Sequence, residues 1–207
     1  FGLRSSTSER TNLAVVNTGA EGPVTLRAVL RSGDGSRTYE VPSALLPALA
    51  PGEWRQVNDG DLLQAAGFAD ATATVTRVGG TAPFQAYAVF NDNLSNDGSF
   101  VPAVPAEAEG GDVVVPVVVE TDAFESELVL YNPSTAPVQA TITYAESLAS
   151  PRGLAGSATV DLGPGAQTIL PGILDALRGL GVAVGPRGAA SYAGTLSVSF
   201  RAAGGSA

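Results

Sequence analysis

Apolar and polar positions alternate along most of the chain, in short runs separated by turns rich in Gly, Pro, Asn and Ser. In Val24-Thr-Leu-Arg-Ala-Val-Leu-Arg31, the side chains of Val24, Leu26, Ala28 and Leu30 point one way, and Thr25, Arg27 and Arg31 the other. That period of two predicts a strand with one buried face. Ser32-Gly-Asp-Gly-Ser36 then predicts a hairpin turn, and Thr38–Val41 the returning strand. Leu13–Val16 is apolar on both faces, as in a strand covered on both sides. Ala71–Arg77 alternates Ala71, Ala73 and Val75 with Thr, and Phe84–Phe90 sets Phe84, Ala86, Ala88 and Phe90 on one face. Phe1–Arg4 reads as the tail of a strand and Phe100–Val104 as a further one. Helical turns are predicted over Ser43–Ala50 and Asp61–Ala66.

Residues 105–112, with Pro, Ala, Glu and paired Gly, read as a linker. Beyond it the pattern predicts strands at Val113–Glu120, Val138–Tyr144, Ala158–Leu162, Gln167–Leu170 and Tyr192–Phe200. A loose loop is expected around Ser150 and a short helix over Ile173–Leu180, with Pro171 near its start. The second half echoes the first. Arg10-Thr-Asn-Leu-Ala-Val-Val-Asn17 answers to Glu125-Ser-Glu-Leu-Val-Leu-Tyr-Asn132, and 132 − 17 gives a period of 115. Val24–Val29 aligns with Val138–Thr143, Leu49-Ala-Pro-Gly52 with Leu162-Gly-Pro-Gly165, and Thr74-Val75 with Thr195-Leu196. These matches predict an all-β chain of two related domains, residues 1–104 and 113–207. Leu13, Val15, Leu26, Val75 and Ala86 are the expected core of one; Leu128, Leu130, Ile142, Val160 and Leu196 that of the other.

Composition narrows the function more than it defines one. The 207 residues are 44% hydrophobic and 15% charged, with a net charge of −9. So acidic a chain has no basic stripe for nucleic acid or for an anionic membrane surface. All 11 basic residues are Arg, and His, Cys and Met are absent. Disulfides, thiolate or imidazole metal sites and imidazole acid–base catalysis are therefore excluded. The Ser residues have no His or Lys to activate them. Asp122, Glu125 and Glu127 lie close together, but a solvated acidic face accounts for them better than a hydrolytic carboxylate pair. The expectation is a non-enzyme without cofactor. No apolar run approaches the ~20 residues that span a bilayer. Phe1 opens no signal-peptide pattern, so the chain reads as a mature product or an excised piece.

The order of motifs resembles tandem immunoglobulin-like β-sandwich repeats of large secreted bacterial proteins. The resemblance is carried by Arg10–Asn17 with Glu125–Asn132, by Pro51-Gly-Glu-Trp-Arg-Gln-Val-Asn58, and by Phe84–Val101; the second copy lacks the Trp. It implies an extracellular or cell-surface protein acting as a spacer, adhesive module or surface-layer part, with further repeats or other copies of itself as partners.

Three places are candidates for contact with something else. Val57 aligns with Leu170 and reads as core, which puts Trp54 on the opposite face. There, with Arg55 and Tyr87 as neighbours, it is free to stack on a polysaccharide or enter an interface, or else to lie under Arg55 as a rim residue. Asn91-Asp-Asn-Leu-Ser-Asn-Asp-Gly98 gathers oxygen ligands, and Asp92, Asn93 and Asp97 are the calcium candidates; no Glu closes the loop, so a plain turn is the stronger expectation. Asn58-Asp-Gly-Asp61 reads the same way, or as a helix cap. The third place is the ends. With a period of 115, the counterpart of Val113–Glu120 would begin at −2, and domain two has no counterpart of Phe84–Phe90 or Phe100–Val104. Phe1 and Leu3 at one end, and Leu196, Val198 and Phe200 at the other, are the expected open edges; either the chain is a piece of a longer array, or, the favoured expectation, a neighbouring subunit supplies a strand and builds a filament.

Overall fold

Alternation at period two becomes strand after strand. The computed structural model describes residues 1–105, 111–147, 154–188 and 191–203. Their sheets are antiparallel and the chain is all-β, with two short helices. It divides into two units, Phe1–Ala108 and Glu109–Ala207. Most of the expected linker and of the loop around Ser150 lies outside the described residues.

Unit 1 contains β1 (Leu3–Arg4), β2 (Glu9–Asn17), β3 (Thr25–Ser32), β4 (Thr38–Glu40), β5 (Trp54–Val57), α1 (Leu63–Ala66), β6 (Asp70–Gly79), β7 (Phe84–Asp92) and β8 (Gly98–Pro102). One sheet has the order β1-β6-β3-β4 and the other β5-β2-β7-β8. Both turn their apolar positions into one core. Leu26, Ala28 and Leu30 enter it from β3, Leu13 and Val15 from β2, Val57 from β5, and Ala86 and Ala88 from β7. Each Leu or Val side chain among them, taken from water, contributes about 1.5–3 kcal/mol. Val75 is only partly buried, on the rim of this core. Of the helical turn expected over Ser43–Ala50, residues 43–46 form a turn and Leu49 instead bridges to Val24; a 3-10 turn, Asp59–Asp61, leads into α1.

Unit 2 contains β9 (Val113–Glu120), β10 (Leu128–Tyr131), β11 (Val138–Glu146), β12 (Ala155–Leu162), β13 (Gln167–Leu170), α2 (Ile173–Gly179) and β14 (Tyr192–Ala202). Its sheets have the orders β12-β11-β14-β9 and β10-β13. Leu130, Ile142 and Leu196 are buried in its core, while Leu128 and Val160 pack against it partly exposed.

Taken from the opposite end, β9-β14-β11-β12 runs as β1-β6-β3-β4 does. Leu3 lies opposite Ala71, and Val118 opposite Gly194. Leu3 is 3% exposed and Val118 2%, and the two stand 115 positions apart. The Arg4 amide donates to the Thr11 hydroxyl at 3.0 Å, and the Val119 amide to the Ser126 hydroxyl at 2.9 Å, again 115 apart. The two Pro-Gly turns also agree: Gly52 and Gly165 have φ of 72° and 65°, the left-handed region where a side chain is strained.

The differences lie at the edges. β1 pairs with β6 only at Asp70 and Ala71, whereas β9 covers β14 from Tyr192 to Val198. The register of β9 shifts at Pro116, which has no amide to donate and is tolerated because β9 is an edge strand. In unit 1, β2 is held between β5 and β7; in unit 2, β10 pairs with β13 alone. Among the described residues, nothing in unit 2 answers to β7 and β8. The link from α2 to β14 is longer than that from α1 to β6, and it buries Val182 and Val184 in the core. This overturns the expectation of an open apolar groove: the side chains are covered, and among the described residues β13 is the one strand paired with β10.

The expected edge at Leu196, Val198 and Phe200 is corrected as well. Leu196 and Val198 lie where β14 is hydrogen-bonded to β11 on one side and β9 on the other, while Phe200 pairs with Ala140 of β11 beyond the reach of β9. The last strand in sequence is not the last in the sheet, because β14 is inserted between β11 and β9. Leu3, in β1, does occupy an edge strand, with its side chain buried; Phe1 is half exposed.

Candidate functional site

The outward face of β5-β2-β7-β8 carries the aromatic side chains. Trp54 lies opposite Val16, and Val16 opposite Gln85; in the next row Gln56, Ala14 and Tyr87 lie side by side. Val57 is buried and Trp54 is 50% exposed, so the two do point to opposite faces. The Trp54 indole N–H donates to the Tyr87 hydroxyl. That bond spans β2 diagonally, above Ala14. Ala14 points outward yet has no exposed surface, between Gln56 and Tyr87. Tyr87 in turn touches Phe100, with ring centroids 4.8 Å apart and planes tilted by 45°. Phe100 is 64% exposed. The structure thus brings Trp54 and Tyr87 together and adds Phe100, a residue of the expected strand Phe100–Val104. Alternation could have found it, since Val89, on the same face as Tyr87, pairs with Phe100.

Arg55 does not join this group. It lies opposite Val15, on the inward side at the sheet edge, and pairs with Glu53 at 3.1 Å. Among the described residues, the cation–ring contacts are Arg4 with Phe90, Arg37 with Phe68 and Arg178 with Tyr192. The indole is not covered by Arg55, and the rim reading of Trp54 gives way.

The loop between β7 and β8 uses its oxygens on itself. Asp92 Oδ1 accepts the amides of Leu94 and Ser95, each at 2.7 Å. Those two amides, Ser95 first, hold the Asp92 carboxyl below its ordinary range. Asn93 Oδ1 accepts from Arg10 at 2.6 Å, and its amide donates to the carbonyls of Ser6 and Thr7. Asp97 donates its backbone amide to the Ser95 hydroxyl and its carbonyl accepts the Asp92 amide. Among the described residues, no group of three or more acidic side chains is arranged to hold a metal ion.

A buried polar cluster in unit 2 gave no signal in the sequence. Arg178 grips both oxygens of Glu120, at 2.6 and 2.7 Å, and its Nε donates to the Gly185 carbonyl. Glu120 is 5% exposed. Tyr144, on the neighbouring β11, is fully buried, and burial pushes its phenol up to about 12, with Glu146 adding to the shift. These residues are far apart in sequence and share no motif spacing. Each already has a role in closing the core end of β9, β11 and α2.

No protein-family model, curated protein or solved structure matches the chain. Function therefore rests on the geometry of this molecule alone.

Proposed function

We propose that the chain is an extracellular structural or adhesive protein of two tandem immunoglobulin-like β-sandwiches, acting by assembly and not by catalysis. On this reading unit 2 accepts a β strand from another copy or a further repeat, and the cell surface is where such arrays work. The observation that carries the proposal is the two-stranded β10-β13 sheet beside the four-stranded β5-β2-β7-β8. A two-stranded sheet is marginal by itself, and a strand paired on one side among the described residues is a template for another strand. The Asn132 amide donates to Ala166, across β13. Alternation then turns the amide and carbonyl of Val129 away from β13. On β2 of unit 1 the corresponding side is occupied by β7, whose Ala86 and Ala88 face the core.

Light scattering after size exclusion, over a range of concentrations, tests the assembly. The expected mass exceeds a monomer and rises with concentration, and exchange of the Val129 amide slows in step. A peptide with the sequence of Phe84–Asp92 should compete and return the chain to monomers. A monomer at every concentration, with no binding of that peptide, would overturn the proposal.

A further inference from the structure

The geometry points to a second role for unit 1, independent of assembly: the Trp54–Tyr87–Phe100 strip is a binding platform for a neutral polysaccharide chain. Three observations converge on that class of ligand.

The first is the posture of the indole. A Trp that closes a core hides its rings, but Trp54 is half exposed on the outward face of the sheet. Half of its surface is open to solvent. The bond to the Tyr87 hydroxyl holds it there, so little side-chain freedom remains to be lost on binding. The apolar C–H face of a pyranose ring fits such a surface, and Phe100 extends it beyond Tyr87.

The second is what surrounds the rings. Gln56 and Gln85 flank them from β5 and β7. The Gln56 amide nitrogen donates to Asn58, which leaves its carbonyl oxygen to accept a sugar hydroxyl; Gln85 is exposed. Neutral amides that both donate and accept suit hydroxyls, which do the same.

The third is charge. The protein carries −9, yet the outward positions of β2, β5, β7 and β8 hold one charged side chain, Arg10. Its guanidinium is taken up by Asn93 and Asn96 at the far end of the face. A neutral face on an acidic protein neither attracts a polyanion nor repels an uncharged polymer. That favours neutral sugar over a charged glycan.

Trp54 is the only Trp, so intrinsic fluorescence reports on this surface directly. The probes are hexaoses of glucose (β-1,4), N-acetylglucosamine, xylose and mannose, up to ~10 mM, together with retention on insoluble cellulose and chitin. At least one hexaose should shift the emission saturably, at a midpoint independent of protein concentration and of salt. Phe100→Ala, at an exposed position, should weaken that binding about tenfold with an unchanged melting temperature. Tyr87→Phe should weaken it by releasing the indole, and Trp54→Ala should abolish retention. An emission spectrum unmoved by every hexaose, with no retention on either solid, would overturn the proposal. So would a spectrum that moves with protein concentration instead of sugar, which would make the strip an interface between copies. Because the readout does not require assembly, failure here leaves the β10 edge untouched, and failure of assembly leaves the platform untouched.

Discussion

Asn132 stands in unit 2 where Asn17 stands in unit 1, buried at the end of a strand and joined to the Pro-Gly turn. The Asn17 amide donates to the carbonyls of Gly22 and Leu49, at 3.1 and 2.9 Å, and its oxygen accepts the Gly19 amide. The Asn132 amide donates to Ala136, Leu162 and Gly163, at 2.9, 3.2 and 2.9 Å, and its oxygen accepts from Ser134. Leu49 and Leu162 each lead into a Pro-Gly turn. One amide thus replaces the water that these carbonyls lose on folding. Leaving a buried acceptor without a partner costs about 1–3 kcal/mol. Asn17→Ala and Asn132→Ala should each lower stability by ~2–4 kcal/mol in urea unfolding. The near-isosteric Asn17→Asp, which loses the donor, should cost at least as much. Losses under about 0.5 kcal/mol would mean the turns hold without them.

Leu13 and Leu128 occupy matching places with different cover. Leu13 lies between Val57 and Ala88, from strands on both sides, and is 4% exposed. Among the described residues Leu128 has a strand partner on one side, Leu170, and it is partly exposed. Leu13→Ala should cost ~2–5 kcal/mol, as a full core deletion does. Leu128→Ala should cost nearer 1 kcal/mol in the isolated chain. If a strand is added along β10, the cost of Leu128→Ala should rise with protein concentration. Equal costs in dilute solution would show that β10 is as well covered as β2.

The sequence made the strands and the faces of most side chains legible, because burial at period two is written locally. The outward turn of Trp54 followed from Val57 alone. Sheet order was not legible. It depends on which strands pair, and nothing in Tyr192–Phe200 says that β9 will lie beside it. The longer link after α2 escaped for another reason. Val182 and Val184 sit among Gly and Pro with no period, so only the fold reveals that they close the core. The Glu120–Arg178 pair is a long-range contact between a strand end and a helix, and composition shows such residues merely as surface charge.

Calcium should not matter to the β7–β8 loop. Asp92 already caps two amides, and Asn93 is held by Arg10 and two carbonyls. A cation would have to displace these bonds. Thermal melts with calcium and with chelator should coincide; a midpoint that climbs with calcium concentration would reveal binding to the native state.

The pair of Arg178 and Glu120 should behave as a buried ion pair. The guanidinium uses two bonds on one carboxylate and lies 5.4 Å from the Tyr192 ring. Arg178→Ala strands the Glu120 charge in the core and should cost ~3–5 kcal/mol. The double change Glu120→Leu with Arg178→Met should recover most of that loss, since apolar packing replaces a pair whose desolvation is itself expensive. A double variant as unstable as the single one would place the value of the pair in the charge itself.

Tyr144 sets a limit at alkaline pH. Its ring is buried, and among the described residues its hydroxyl has no hydrogen-bond partner. Burial first, and the nearby Glu146 second, raise the phenol from 10.0 to about 12. An unfolded chain therefore releases this proton near pH 10, while the folded chain keeps it until about pH 12. Between these values the folded state binds more protons, so stability falls as pH rises. Below pH 10 the contribution is fully present, and no His adds a slope near neutrality. Urea unfolding from pH 8 to 12 should show a flat region and then a decline. Tyr144→Phe removes the titrating group and leaves the ring, so it should flatten the decline while changing stability at pH 8 by less than ~1 kcal/mol. If the variant and the parent decline in parallel, Tyr144 is not the group that titrates.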